Sequence, residues 1–105
     1  MDRAVSRGWC VYILSNNAHT LYVGSTDDLL HRIAEHTLKI RSKAFTARYT
    51  FDRCVFFEFA PDEKTARSRE KQIKGWTRAK KIALIQEKNP NGIDVTPRLD
   101  TVLRF

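Results

Sequence analysis

Apolar residues recur along this chain with two different periods. From Cys10 to Leu14 they are β-branched, aromatic or aliphatic, and Thr20 to Gly24 repeat that character after the turn-forming run Ser15-Asn16-Asn17. The pattern predicts a hairpin. With its turn centred on Asn17, Tyr12 lies directly across from Tyr22, and alternation places Val11, Ile13, Leu21 and Val23 on the opposite face. The period then changes. Leu29, Ile33, Ala34 and Thr37 form a stripe at helical spacing, so a helix is expected to run to about Leu38, capped by Thr26 or Asp27. Arg32 and His36, four residues apart, border that stripe. From there a long side chain can reach over the edge of a core toward a neighbouring sheet.

Between Lys39 and Asp52 the chain is basic and weakly periodic, which predicts a loop carrying Lys43 and Arg48 among its charges. Cys54–Phe59, with Val55 and three phenylalanines, is expected to be a third strand. Pro61 and Asp62 then introduce a helix from about Glu63 to Lys74, with Gly75 at its end. Thr77 can cap another helix to about Glu87, broken by Asn89-Pro90-Asn91-Gly92. These elements make one domain over residues 8–90, and residues 91–105 read as a loosely held tail.

At 105 residues the chain can bury one modest core. Nineteen Lys and Arg against twelve Asp and Glu give a net charge of +7, an excess suited to a polyanionic partner. No apolar run approaches the roughly 20 residues that span a bilayer, and residues 1–6 open with charges and not with a signal-peptide core, so a cytoplasmic location without membrane attachment is expected. Cys10 and Cys54 lack C-x-x-C spacing and lie in strand-like segments, which predicts buried thiols and no zinc or redox motif.

The segment Glu63–Lys81 contains eight basic residues and two acidic ones. It coats its helices with positive charge, Arg67, Lys71 and Lys74 included. Yet on a helical wheel Glu70 falls with Ala66 and Ile73 on the apolar side. An ionised carboxylate aimed inward asks for a partner, which is either an ion pair with Arg32 or Lys71 or a bound metal. Tyr12 and Tyr22 taken alone can be a sheet-stabilising aromatic pair, and Arg32 alone an edge-of-helix ion pair. Together, tyrosine, arginine and glutamate supply what phosphodiester cleavage needs. A water must be held and activated, charge on the phosphate oxygens must be met, and a metal must stabilise the leaving oxygen.

The order Cys10-Val11-Tyr12, then Tyr22-Val23-Gly24, then Arg32, then Glu70 on a later helix resembles the GIY-YIG nuclease superfamily. The stretches Val11–Thr26, Asp28–His36 and Arg69–Trp76 are especially similar to its small stand-alone bacterial members. The resemblance covers roughly residues 9–90, and it departs from the family name where Cys10 stands in place of glycine. It implies an α/β (α+β) fold, a small three-stranded antiparallel sheet flanked by helices. It implies an endonuclease in which Tyr12 is the general base or orients the water, supported by Tyr22. Arg32 would stabilise the pentavalent phosphate, His36 would assist the proton network, and Glu70 would hold a single Mg²⁺ or Mn²⁺. Asn89 is the nearest counterpart of an asparagine some members use. Gly24 would let its strand end close to the phosphate path.

The expected partner is DNA, single-stranded or branched, with selectivity for structure or ends and a connection to repair or recombination. Nothing in the residues discriminates against the RNA 2′-hydroxyl. A protein partner could aim so small a nuclease. The rival expectation is a nucleic-acid-binding module that keeps the fold without the chemistry.

Overall fold

The computed structural model describes residues 7–16, 18–39 and 53–95. Lys43 and Arg48 lie outside the described residues, as do residues 96–105 of the tail. Strands β1 (Arg7–Ser15), β2 (Leu21–Asp28) and β3 (Arg53–Phe59) form one antiparallel sheet in the order β2-β1-β3. Helix α1 (Leu29–Lys39) follows β2 without an intervening loop, and α2 (Glu63–Lys74) and α3 (Arg78–Lys88) follow β3. The expected three-stranded α+β architecture is therefore the observed one.

Strand β1 is in the middle of the sheet, and its run Cys10–Leu14 is no more than 1% exposed at any residue. Alternation divides that run between two cores. Val11 and Ile13 join Val23, Val55, Phe56, Ala66, Ile73 and Ile85 beneath α2 and α3. Cys10, Tyr12 and Leu14 join Leu29 and Cys54 on the face covered by α1, with Ile33 and Val95 packed alongside. Val55 and Phe56 are consecutive yet share a core, because the β1–β3 register slips by one residue between Ile13 and Leu14. A bulge of this kind turns two neighbouring side chains to one face.

The hairpin differs from its expected register by two residues. Tyr22 pairs with Leu14 and Tyr12 pairs with Gly24, so the tyrosines share a face diagonally and do not oppose each other. The turn is centred on Ala18 and opened by Asn16. The buried side-chain oxygen of Asn16 accepts from the backbone N–H groups of Ala18 and Thr20, both at 3.0 Å, and its carbonyl accepts from His19 N–H at 2.9 Å and from the Arg53 guanidinium at 2.7 Å. An asparagine side chain that bonds the backbone beyond it fixes a turn by itself.

Helix starts follow the same local chemistry. Asp62 Oδ1 accepts from Thr65 N–H at 2.8 Å and Thr77 Oγ1 from Lys80 N–H at 3.2 Å, as the sequence predicts. Helix α1 starts later than expected. Asp28, not Thr26 or Asp27, accepts from the first-turn N–H of His31 at 3.2 Å, because β2 continues through Asp28 before the chain turns helical.

Beyond α3 the chain is held more firmly than a loose tail would be, at least to Val95. The Asn89 amide donates to the carbonyls of Val55 (3.0 Å) and Ile93 (2.8 Å), and its oxygen accepts from Ile93 N–H at 3.1 Å. Val95 N–H then donates to the Cys54 carbonyl at 2.7 Å, and Cys54 N–H donates to the Asp94 carboxylate at 3.1 Å. Asn89 clasps this segment to β3, at the sheet edge opposite β2.

Cys10 and Cys54 are free and fully buried thiols. Burial pushes the Cys10 thiol up to about 11 and the Cys54 thiol up to about 12. Both are expected to ignore a thiol-specific chromogenic disulfide reagent at pH 8 in the folded protein and to react fully in guanidinium. Stoichiometric labelling of the native chain would contradict the burial described for β1 and β3.

Candidate functional site at the edge of strand β2

Tyr12 is brought to the site by the most buried strand, and its phenol is accommodated by Gly24. A Cβ built on Gly24 would stand 2.5 Å from the Tyr12 hydroxyl oxygen and 2.6 Å from the adjoining ring carbon, closer than carbon atoms tolerate. The glycine thus leaves space for a side chain of β1. It does not end its strand, since β2 continues four residues beyond it.

The Tyr12 and Tyr22 rings lie 6.2 Å apart at 42°. Tyr12 is 1% exposed, whereas Tyr22 is 38% exposed and opens the pair to solvent. Burial first, then the nearby Tyr22 and Glu70, raise the Tyr12 phenol well above its ordinary range, against the lowering effect of Arg32. The phenol therefore keeps its proton at neutral pH. It can orient a water or hydrogen-bond a phosphate oxygen.

Arg32 stands in the second turn of α1, a helix held down by fully buried Leu29 and by Ile33. Its guanidinium lies 3.2 Å from the Glu35 carboxylate and is about half exposed, so it can reach an incoming anion. His36 is on the same helix four residues later, and only its backbone is described.

Glu70 approaches the sheet from α2, anchored on either side by buried Ala66 and Ile73. The inward aim expected from the helical wheel is observed, with 18% of the side chain exposed. Its partners are not Arg32 or Lys71. One carboxylate oxygen accepts from the Ser25 hydroxyl of β2, and the other is 2.6 Å from the Lys74 ammonium. Lys74 wins because it lies one turn further along the same helix face, whereas Lys71 projects outward. Burial alone would raise the Glu70 carboxyl. Hydrogen bonds from Lys74 and Ser25, with the charges of Lys74 and Arg67, outweigh it and hold the group below its ordinary range.

Four of the expected catalytic residues thus converge on one edge of the sheet. Tyr12 and Tyr22 come from the α1 face, Glu70 reaches Ser25 from the α2 face, and Tyr12 lies within electrostatic range of Arg32 and Glu70. Of the other expected binding residues that are described, Arg67 and Lys71 are outside that group. Arg67 is paired with Glu63 at 2.6 Å and lies over the Trp9 ring, while Lys71 is exposed on α2. Asn89 is on the far side of the sheet at β3. Ser25 was not anticipated. Its signal is its odd-numbered position, two residues after Val23 on the face that α2 covers.

Among the described residues no three His, Cys, Asp or Glu side chains cluster to hold a metal. Glu70 and Ser25 offer a carboxylate and a hydroxyl, hard oxygens on a partly open flank. Mg²⁺ and Mn²⁺ suit such a set, because they take one or two carboxylates and complete their shells with water and substrate phosphate. A tetrahedral zinc centre would need more protein ligands than this.

Comparison with known proteins agrees with this geometry. The family model described as GIY-YIG catalytic domain matches residues 8–83. UPF0213 protein CPE1444 of Clostridium perfringens is 39% identical over 83 residues, covering 75% of this chain and 84% of its own. UPF0213 protein HQ_3675A of Haloquadratum walsbyi is 38% identical over 77 residues, with 73% and 85% covered. The solution NMR structure of UPF0213 protein BH0048 from Bacillus halodurans superposes with a TM-score of 0.52 at 30% identity, covering 79% of this chain and 87% of that one. The chain belongs to the GIY-YIG nuclease family, among small proteins of the UPF0213 type.

Two outcomes follow from the site geometry. Gly24→Ala is expected to destabilise the fold by about 1–3 kcal/mol in urea unfolding, as overpacking of a filled core does. A neutral effect would mean that Tyr12 is not seated against β2. In a carboxyl-detected NMR titration, Lys74→Met should move the Glu70 midpoint upward, since the burial that opposes ionisation remains while the ammonium is gone. An unchanged midpoint would remove Lys74 from the account.

Proposed function

We propose that this GIY-YIG family member is a divalent-metal-dependent endonuclease that hydrolyses phosphodiester bonds in DNA. The observation carrying this reading is the carboxylate of Glu70, drawn inward to the same sheet edge as the Tyr12–Tyr22 pair and Arg32. A chain with net charge +7 that only bound phosphate would weaken its own contact by placing a carboxylate there, unless a cation intervenes.

In the proposed reaction Glu70, with Ser25 fixing its orientation, holds Mg²⁺ or Mn²⁺. When bound, such an ion supplies positive charge at the phosphate and its leaving oxygen. Arg32 meets the charge that grows on the equatorial oxygens. Tyr12 keeps its proton and orients the attacking water through its hydroxyl, with Tyr22 fixing the phenol and forming the open side of the site. Of the two roles considered for Tyr12, orientation is the one that burial favours over that of a free base. His36 is assigned to the proton network by its position on α1.

Binding is mainly electrostatic, through Arg67, Lys71 and Lys74 of α2 and the basic segment carrying Lys43 and Arg48. Selectivity then rests on single-stranded or branched structure more than on base sequence. Such a cut suits DNA repair or recombination. Among the described residues no helix is long and apolar enough to cross a membrane, and we assign the protein to the cytoplasm.

A second reading has an observation in its favour. The Glu70 carboxylate is already matched by Lys74 and Ser25, as a purely structural ion pair would be, which suits a binding module without chemistry. Cleavage of labelled single-stranded, duplex and branched DNA in Mg²⁺, Mn²⁺ or EDTA separates the two. Metal-dependent cutting is expected, lost in Glu70→Ala and reduced about 100-fold or more in Arg32→Ala and Tyr12→Phe, the range found when an essential donor or proton-handling group is removed. Binding of all three substrates without cutting in either metal would establish the module instead.

A further inference from the structure

The cations of the described surface are unequally neutralised. Arg32, Arg67, Arg69 and Lys74 each face a carboxylate, namely Glu35, Glu63, Glu58 and Glu70. Arg78 and Lys81, three residues apart on one face of α3, meet none among the described residues. Both border a groove of about 460 Å³ whose other wall is the β1–β2 hairpin, Ala18 to Leu21, with the exposed His19 at its rim.

This wall is preformed. His19 is held at φ 60°, a left-handed conformation that side chains other than glycine and asparagine seldom take, and the Asn16 bonds to the backbone of residues 18, 19 and 20 keep it there. Strand β2 leads from the groove to the site. Thr20 precedes Tyr22 by two residues, about 7 Å at the usual rise of a strand, and Lys74, the partner of Glu70, lies within electrostatic range of Tyr22.

We propose that the groove between the hairpin and α3 seats a backbone phosphate of the bound nucleic-acid strand, a few nucleotides along from the phosphate that is cut, with Arg78, Lys81 and His19 holding it. This rests on the nuclease reading and adds a direction to it: the strand leaves Glu70 past Lys74 and Tyr22 and runs toward the hairpin. The groove is polar and shallow, so it takes the phosphate and leaves the bases free. Phosphate binding of that kind sets register on the strand without reading sequence.

The test is binding of a labelled single-stranded DNA oligonucleotide in EDTA, followed by fluorescence anisotropy over a range of salt. Arg78→Gln/Lys81→Gln should bind about tenfold or more weakly at low salt. Its log K against log salt slope should fall by about 0.7, the value for one phosphate charge left unneutralised on a single strand. Lys64→Gln/Lys88→Gln, which removes the same charge elsewhere, should leave the slope near that of the wild type. Independently of any variant, titrating the wild-type protein with the oligonucleotide should shift the amide NMR signals of residues 18–21 and 78–81. Equal slopes for the two double variants, with no shifts at the hairpin, would overturn the groove while leaving the nuclease reading intact. A wild-type chain that binds no oligonucleotide at all would overturn both.

Discussion

Burial of β1 on both faces is the constraint from which the rest of the structure follows. Five consecutive residues, Cys10 to Leu14, have essentially no solvent contact, so a three-stranded sheet that most folds would cover on one side must here be covered on two. Helices α2 and α3 take one face and α1 takes the other, with Val95 packed beside it. Each uncovered face would expose side chains worth about 1.5–3 kcal/mol apiece. With both faces closed, chemistry has only the edges left. The β3 edge is partly occupied by the segment that Asn89 clasps, which leaves the β2 edge as the place where groups from both faces can meet.

That explains how residues on opposite faces make one site. Tyr12 belongs to the α1 core and Glu70 to the α2 side, and they are brought within electrostatic range around a strand that has no neighbour beyond it among the described residues. The opening at Gly24 is part of the same arrangement, because the phenol of a fully buried strand can approach β2 only where the pairing residue has no side chain. The charge distribution has a matching logic. Acidic side chains neutralise Arg32, Arg67, Arg69 and Lys74 on α1 and α2, whereas Arg78 and Lys81 of α3, which meet no carboxylate among the described residues, stand where β2 turns back into the hairpin.

Much of this was legible in the sequence wherever the information is local. Alternation in Cys10–Leu14 assigned side chains to faces correctly, Asp62 and Thr77 announced their helices, and the wheel position of Glu70 between Ala66 and Ile73 gave its inward aim. What escaped depends on choices between near-equivalent neighbours or on pairings between distant elements. A run of turn formers does not say where the turn is centred, and the side-chain bonds of buried Asn16 to Ala18 and Thr20 centre it one residue beyond Asn17, which moves the tyrosine pairing by two residues. Asp28 caps α1 because β2 outlasts its apolar run. The ion pair at Glu70 goes to Lys74, since the i+4 position faces Glu70 on the helix surface and the i+1 position of Lys71 does not. Ser25 touches Glu70 across forty-five residues of chain, a contact that no periodicity encodes.

The central claim is that the Glu70 carboxylate is held at the β2 edge so that a divalent cation can sit beside the tyrosine pair. Titrating ¹⁵N-labelled protein with substoichiometric Mn²⁺ tests it without any substrate, because the paramagnetic ion broadens the amide signals nearest to it first. The account predicts earliest loss at Gly24, Ser25 and Glu70, with the effect abolished in Glu70→Gln. Broadening centred elsewhere, or the same broadening in Glu70→Gln, would contradict it.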